Sequence, residues 1–125
     1  MNIAIYTSND AEQKLLCRWM DSTKALTFRQ ITYHYCNTYD DFLQILEQQQ
    51  IDLMIIAVDG ADGMEGVIAA RKFQPETKLI WFSNDKAFGS QSYRLNCTYF
   101  AVKPITEELL ETAVSRCLAD RYCAH

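Results

Sequence analysis

The chain has 125 residues, of which 49% are apolar and 22% are charged, and its formal net charge at pH 7 is −4. This length suits a single core, and this composition is that of an ordinary globular protein. The mild negative charge argues against a domain that holds nucleic acid or an anionic membrane through its overall field. We expect one domain that spans residues 1–125.

The amino terminus and the cysteines both favour the cytoplasm. Met1 leads almost directly into an apolar run, without the basic segment and long apolar stretch of a signal peptide. The cysteines are Cys17, Cys36, Cys97, Cys117 and Cys123, and no pair has CxxC spacing. An odd count without a secretory signal is typical of thiols in a reducing compartment. No apolar stretch approaches the roughly 20 residues that span a bilayer, so we expect no membrane insertion.

The first half of the chain alternates between strand and helix patterns. NIAIYT predicts the first strand, and SNDAEQKLLCRWM predicts a helix that Asn9 caps, with Glu12 completing a capping box. The apolar stripe predicted for this helix is Ala11, Leu15 and Trp19, widened by Leu16 and Met20. ITYHYCN predicts the second strand, and Thr38 opens the second helix. The fully apolar DLMIIAV predicts a third strand that helices bury on both faces.

The second half continues the same alternation. MEGVIAARKF predicts a third helix that ends before Pro75, and KLIWFS predicts the fourth strand. DKAFGSQSYRLN predicts a weak helix, because Gly89 and two serines lower its helix propensity, and Asn96 suits a left-handed position at its end. TYFAV predicts the fifth strand, and Thr106 opens the last helix.

Strict alternation of five strands and five helices predicts an α/β fold with a parallel sheet covered on both faces. Right-handed crossovers favour a doubly wound, flavodoxin-like sheet in the order 2-1-3-4-5. Ligands then bind beyond the carboxyl ends of the strands, where strand order reverses. Thr7, Ser8, Ala57, Asp59, Ser83 and Lys103 all follow or end strands at that edge. Lys103 and Ser83 suit an anion, although a surface lysine and a helix-capping serine would explain them equally well.

The chain resembles, over nearly its whole length, the receiver domain of bacterial two-component response regulators, in particular receivers that precede LytTR-type DNA-binding domains. The matching segments are MNIAIYTSNDAE, DLMIIAV, GMEG, LIWFS and SYRLNCTYFAVKPI. The resemblance implies phosphoryl transfer from a kinase to an aspartate, with Mg²⁺ held by an acidic pair after the first strand. By position, Lys103 matches the family lysine, Ser83 its hydroxyl residue and Phe100 its switch aromatic. The resemblance also implies a cis peptide before Pro104.

The acid cluster is where the chain departs from that family. Thr7 and Ser8 stand where the acidic pair is expected, and Ala57 stands at the acceptor position. Asp59 lies two residues later, in a loop that is one residue longer than usual. Hydroxyls do not replace two carboxylates around a hard cation, and about 1 Å of misplacement can cost about a hundredfold in rate. We therefore expect no metal and no cofactor, with Mg²⁺ needed only if Asp59 accepts a phosphoryl group.

These observations predict a pseudo-receiver, a signalling domain rather than an enzyme, that acts through protein partners without phosphorylation. The resemblance implies pairing through the fourth helix, the fifth strand and the fifth helix, where Tyr93 and Phe100 lie, so a homodimer is one expected assembly. DNA binding would belong to a LytTR-type output domain beyond the last helix. Two alternatives stay open: a phosphoacceptor at Asp59 with an atypical metal site, and a small-anion sensor that uses Lys103 and Ser83.

Overall fold

The computed structural model describes residues 1–123, with side chains up to residue 119. The strands in this part of the chain are β1 (Asn2–Tyr6), β2 (Thr32–Cys36), β3 (Leu53–Ile56), β4 (Lys78–Ser83) and β5 (Tyr99–Val102). The helices are α1 (Asp10–Asp21), α2 (Tyr39–Gln48), α3 (Gly60–Phe73), α4 (Gly89–Arg94) and α5 (Glu107–Cys123). All strand pairs are parallel, in the order β2-β1-β3-β4-β5. The predicted doubly wound α/β fold is confirmed.

Local capping fixes the start of three helices. The side chains of Asn9, Thr38 and Thr106 each accept a hydrogen bond from the backbone N–H three residues later. Each bond satisfies a donor that the first turn of a helix leaves without a partner. The predicted starts of α1, α2 and α5 are therefore correct.

Helices cover both faces of the sheet. α1 and α5 pack on one face, and α2 and α3 pack on the other. Every residue of β3 is buried, as its continuous apolar sequence predicts. β4 is buried after its first residue and carries Trp81, the largest fully buried side chain described. This two-sided core leaves the polar residues after the strands at one edge of the sheet.

The buried face of α1 differs from the predicted stripe. Leu16 and Met20 are buried, whereas Leu15 is 41% exposed, Trp19 is half-buried and Ala11 is exposed. The apolar residues of α1 cover more than one face of the helix, so their spacing does not decide which face the sheet takes. Ala11, Leu15 and Trp19 line a surface cleft, and of these three only Trp19 also packs against the core.

Two helices in the second half also differ from their predicted form. α3 begins at Gly60, four residues before the predicted Met64, and so includes a glycine-rich first turn. A Cβ on Gly63 would lie 2.0 Å from the backbone oxygen of Val58, so only glycine lets α3 pack this close to the end of β3. The fourth helical segment is divided into a 3₁₀ turn (Lys86–Phe88) and the short α4, and Asn96 has the predicted left-handed conformation.

Within the described residues, no helix combines the length and the apolar character needed to cross a membrane. Cys36 and Cys117 are buried, and Cys17 and Cys97 are partly buried. No disulfide joins the cysteines whose side chains are described. The side chain of Cys123 lies outside that part of the chain.

Candidate functional site

A cleft of about 540 Å³ opens at the carboxyl edge of the sheet, between α1 and the loop that joins β5 to α5. This edge lies beside the point where strand order reverses, as expected for a ligand site in a doubly wound sheet. The polar residues that line the cleft are Asn9, Glu12, Asp59, Asn84 and Lys103. Two of the site residues predicted from the sequence, Asp59 and Lys103, therefore share one cleft.

Lys103 is the centre of this site. Its ammonium nitrogen lies 2.6 Å from the backbone oxygen of Ala57 and 2.8 Å from a carboxylate oxygen of Asp59. Both carboxylate oxygens of Glu12 lie 3.0 Å from the same nitrogen. An ammonium group has three protons, so each proton has an acceptor within the chain. The Lys103–Pro104 peptide is cis, as the resemblance implies.

Glu12 is the site residue that the sequence analysis missed. Its backbone N–H is capped by Asn9, but its carboxylate does not complete the capping box. The carboxylate instead accepts from the hydroxyl of Thr7 at 2.7 Å and from the ammonium group of Lys103. The capping motif predicts only a local hydrogen bond for the Glu12 carboxylate. The fold brings this carboxylate to Lys103, which lies 91 positions later in the chain. One feature of the sequence could have indicated this contact, because Glu12 lies in the predicted first turn of α1, at the same sheet edge as Lys103.

Asp59 reaches Lys103 because of the conformation of the loop after β3. Ala57 is buried and continues the ladder, donating its N–H to the backbone oxygen of Tyr6. Asp59 then occupies the N-cap position of α3 without capping it, and its side chain is 54% exposed. Gly60 follows with a φ of +69°, a conformation that favours glycine, and its N–H donates to the side-chain oxygen of Asn84.

The three hydroxyl residues predicted to bind a ligand are not equivalent. Thr7 is buried and supports Glu12 through the hydrogen bond described above. Ser8 is exposed and lines a separate depression with Asp62. Ser83 is fully buried, and its hydroxyl oxygen accepts from the N–H of Asp85. The structure therefore brings Thr7, but neither Ser8 nor the Ser83 hydroxyl, into contact with the Lys103 cluster.

No protein-family model matches the sequence, and no curated protein matches it. Among solved structures, the chain is similar to a CheY-like response regulator receiver domain protein from Methanospirillum hungatei JF-1. That pair has a TM-score of 0.80 and 16% identity, and the match covers 99% of this chain and 98% of the other. The response regulatory domain of protein mrkE from Klebsiella pneumoniae gives a TM-score of 0.80 at 14% identity, over 98% and 99%. The chain has the receiver fold.

A third similar structure with the receiver fold is a signal receiver domain of a histidine kinase from Clostridium thermocellum. It has a TM-score of 0.75 and 16% identity, and the match covers 94% of this chain and 96% of the other. Matches of this length leave no large part of the chain outside the fold. The fold therefore agrees with the topology predicted from strand and helix patterns, although few residues are shared.

Phe100, which the resemblance assigns as the switch aromatic of the receiver fold, is partly buried on β5. Its ring meets the ring of Trp81 edge to face, with centroids 5.3 Å apart. Trp81 also stacks on Phe88, in the 3₁₀ turn before α4, at 5.4 Å. Aromatic contacts of this kind hold the segment before α4 against β4 and β5.

The residues at the carboxyl edge do not fit the Mg²⁺ ion that the receiver fold family implies. Mg²⁺ has near-octahedral geometry and is usually held through one or two carboxylates that are free to coordinate it, with water and phosphate oxygens in the other positions. The positions of the acidic pair carry the hydroxyls of Thr7 and Ser8, and the two nearby carboxylates, Glu12 and Asp59, are paired with Lys103. Among the described side chains, no group of three acidic, histidine or cysteine residues could hold a metal ion. We derive no step through a metal.

The charge balance also disfavours a small anion at this site. Lys103 supplies one positive charge, whereas Glu12 and Asp59 supply two negative charges. An anion would meet two carboxylates and an ammonium group whose protons are already donated. The arrangement is chemically suited to holding the β5–α5 loop in place, and it leaves an excess of negative charge at the mouth of the cleft.

Proposed function

We propose that the chain is a receiver-like signalling domain that works without phosphorylation and acts through protein contacts. The observation that carries this proposal is the set of partners around Lys103, which are Ala57, Glu12 and Asp59. In the receiver domains that this chain resembles, the matching lysine binds an oxygen of the phosphoryl group. Here internal carboxylates accept its protons, so the lysine joins the β5–α5 loop to α1 and to the end of β3 without a phosphoryl group.

Electrostatics support this proposal. A phosphoryl group on Asp59 would have to displace a carboxylate from Lys103 and would add negative charge beside Glu12. Among the described residues, the lining of the cleft includes no second lysine and no group of three metal-ligating side chains that could help to offset that charge. Because placement and charge compensation supply most of the catalysis in phosphoryl transfer, a site without them is a poor acceptor.

The contact surface that we propose is the α4–β5–α5 face, defined by Tyr93, Tyr99, Val102 and Arg116. Tyr93 is 86% exposed and Val102 is 39% exposed. The guanidinium group of Arg116 lies 5.3 Å from the centre of the Tyr99 ring, which is a cation–π contact. Tyrosine and arginine are enriched in protein interfaces. This face is built on elements that the core positions, so it does not depend on the acid cluster.

The proposed occupant of the α4–β5–α5 face is a second copy of this chain, or an output domain in the same signalling protein. An output domain of LytTR type would carry any DNA binding. The gene sequence downstream of this segment tests that part directly, because an in-frame LytTR-type domain would support it. A different in-frame output domain would contradict the LytTR assignment and leave the contact surface to be tested separately.

Phosphorylation is tested by incubating the protein with acetyl phosphate and Mg²⁺ and measuring its intact mass. We expect no phosphoryl adduct, while a receiver with a complete acid cluster, treated in parallel, gains one. An adduct on this protein that is lost in Asp59→Asn would overturn the proposal. If Asp59→Asn still gains an adduct, peptide mapping identifies the modified residue. A phosphoryl group on any other aspartate would also overturn the proposal.

Pairing through the α4–β5–α5 face is tested by sedimentation velocity over a range of concentrations. We expect Tyr93→Arg to weaken self-association, because it replaces an exposed aromatic side chain of this face with a charged one on both copies. Phe28→Arg is the matched control, since it adds the same charge at another exposed aromatic residue, in the loop before β2. Equal association of both variants and the unaltered protein would exclude this face as the dimer surface.

A phosphoacceptor at Asp59 is the second candidate, and one observation favours it. The Asp59 carboxylate is half exposed and lies 2.8 Å from Lys103, the residue that matches the phosphoryl-binding lysine of receivers. If Asp59 accepts a phosphoryl group, the contact between Asp59 and Lys103 would be the arrangement of the site before phosphorylation. The same mass measurement separates the candidates, because only this one predicts an adduct that depends on both Asp59 and Mg²⁺.

A further inference from the structure

We propose that the cleft between α1 and the β5–α5 loop binds a small organic cation, with its apolar body on Leu15 and Trp19 and its ammonium or guanidinium group on Asp59. This inference goes beyond signalling through protein contacts, because it assigns a ligand to the cleft itself. It rests on three observations, which are the apolar wall, the excess negative charge and the free capacity of the Asp59 carboxylate.

The apolar wall of the cleft is formed in part by a side of α1 that the core covers only partly. Ala11, Leu15 and Trp19 line one side, and Pro104 and Ile105 line the other. Leu15 is 41% exposed, although Leu16 beside it is fully buried. Large apolar side chains that face each other across a concavity are typical of small-molecule sites, and the volume of about 540 Å³ lies in the usual range for such ligands.

The polar end of the cleft has a net negative charge. Glu12 and Asp59 contribute two carboxylates, and Lys103 contributes one ammonium group. The ammonium protons are all donated within the chain, so they are not available to a ligand. An anionic head group would therefore be repelled, whereas a cationic head group would restore neutrality.

Asp59 has the capacity to accept this head group. One of its carboxylate oxygens contacts Lys103, and the other has no hydrogen-bond partner among the described residues. Its side chain is 54% exposed, in contrast to that of Glu12, which is 20% exposed. A primary ammonium or a guanidinium group donates several hydrogen bonds and pairs well with such a carboxylate. Trp19 also lines the cleft and supplies an aromatic side chain that can contact a cation or an aromatic body.

The experiment uses NMR spectra of the isotope-labelled chain, because the two tryptophans give separate indole N–H signals. Trp19 lines the cleft, and Trp81 is fully buried and serves as an internal reference. The compounds to titrate are phenethylamine, phenethyl alcohol and hydrocinnamate, which share a phenyl body and differ in the charge of the head group. We expect saturable shifts at Trp19 with the amine, weaker shifts with the alcohol and none with the carboxylate.

Matched variants assign the head-group contact. Asp59→Asn should weaken binding of the amine about fivefold, the effect of losing one exposed charge partner. Asp62→Asn removes the same charge three residues later, in the first turn of α3, but Asp62 lines a different depression, so binding should be unchanged. Leu15→Lys, at an exposed position, places a cation in the cleft and should abolish the Trp19 shifts. Melting curves of each variant confirm that it is folded.

Three outcomes would overturn the proposal. The first is the absence of saturable Trp19 shifts with the amine. The second is binding of the carboxylate as tightly as the amine, which would mean that the charge of the cleft does not select its ligand. The third is an equal effect of Asp59→Asn and Asp62→Asn. None of these outcomes bears on the acetyl phosphate measurement, so the two proposals fail or stand separately.

Discussion

Lys103 contacts Ala57 through the backbone oxygen of that residue, at 2.6 Å, because Ala57 has no side chain that could reach it. The carboxylates around the lysine come from elsewhere, namely from Asp59 in the next turn and from Glu12 on α1. Lys103 is therefore fully paired, although Ala57 stands at the expected acceptor position and supplies no carboxylate. Lys103 thus joins the β5–α5 loop to α1 and to the end of β3 without any contribution from the side chain of residue 57.

The first prediction concerns the contribution of Lys103 to stability. Lys103→Met should lower the free energy of unfolding by about 2 kcal/mol, because it leaves the partly buried carboxylate of Glu12 beside Asp59 without a cation. Urea denaturation followed by far-UV circular dichroism measures the change. Lys14→Met is the control, since Lys14 is exposed on α1 and should give a change within about 0.5 kcal/mol.

A double-mutant cycle tests whether Glu12 is the partner that matters. Glu12→Gln removes the negative charge and keeps the hydrogen bond with Thr7 available. In the Lys103→Met background this second change should restore part of the lost stability, because it removes the uncompensated charge. Additive effects of the two substitutions would contradict the pairing.

The fold was predictable because its determinants are local or periodic. Asn9, Thr38 and Thr106 mark helix starts through hydrogen bonds that span three residues. The apolar run of β3 predicts a buried strand without any knowledge of its neighbours. The choice between the apolar faces of α1 is not local, since it depends on how α1 packs beside α5. For this reason the predicted stripe was right for Leu16 and Met20, which are buried, and wrong for Ala11 and Leu15, which are exposed.

The site was only partly predictable. The sequence places Lys103 and Asp59 at the same sheet edge, because both follow strands at their carboxyl ends. It does not reveal that Glu12 completes the cluster, since that contact joins residues 91 positions apart. It also does not show that the hydroxyl of Ser83 accepts from Asp85 rather than facing the cleft. Contacts of this kind depend on side-chain direction, which residue spacing does not specify.

The second prediction concerns the glycine-rich start of α3. Gly63→Ala should lower the free energy of unfolding by about 3 kcal/mol, because the added Cβ would lie 2.0 Å from the backbone oxygen of Val58. Urea denaturation measures the change. The expected result also includes a shift of the Asp59 amide signal in NMR spectra, since α3 has to move away from β3.

Gly60→Ala is the comparison for Gly63→Ala. Gly60 has a φ of +69°, but a Cβ there would meet no atom within 4 Å. Gly60→Ala should therefore lower the free energy of unfolding only because alanine disfavours a positive φ, by about 1 kcal/mol. Equal losses at Gly60 and Gly63 would show that close packing of α3 on Val58 is not the reason for Gly63.

The third prediction concerns the attachment of α4. The guanidinium group of Arg71, on α3, donates to the backbone oxygens of Leu95 and Asn96 at the end of α4, each at 2.7 Å. It also donates to the backbone oxygens of Pro75 and Thr77. Burial lowers the pKa of Arg71, and the nearby negative charge of Glu76 offsets part of this shift. This one side chain therefore holds α4 and the proposed α4–β5–α5 face against α3.

Arg71→Lys should lower the free energy of unfolding by about 2 kcal/mol, because a lysine cannot reproduce the planar fork of donors. Hydrogen exchange at Leu95 and Asn96 should become faster than in the unaltered protein. Arg94→Lys makes the same substitution at an exposed position of α4 and should change neither quantity. Unchanged exchange at the end of α4 in Arg71→Lys would contradict the proposed attachment.

The fourth prediction concerns alkaline pH. Tyr6 is 3% exposed at the end of β1, and burial, reinforced by the charge of Asp62, raises its pKa from 10.0 to about 12. The folded protein therefore holds this proton more tightly than the unfolded chain does. The contribution of the neutral Tyr6 phenol to the free energy of unfolding is fully present below pH 10 and is lost as the pH rises through about 12. The loss should reach about 2 kcal/mol.

Tyr6→Phe isolates this contribution, because burial also raises the pKa of Cys36, to about 11, and that thiol adds to the alkaline loss. Urea denaturation in reducing buffer, repeated from neutral pH to pH 12, should show a smaller fall in the free energy of unfolding for Tyr6→Phe than for the unaltered protein. Tyr93→Phe, at a position 86% exposed, should follow the unaltered protein. If Tyr6→Phe and Tyr93→Phe lose stability equally, the buried phenol of Tyr6 does not contribute to the loss of stability at alkaline pH.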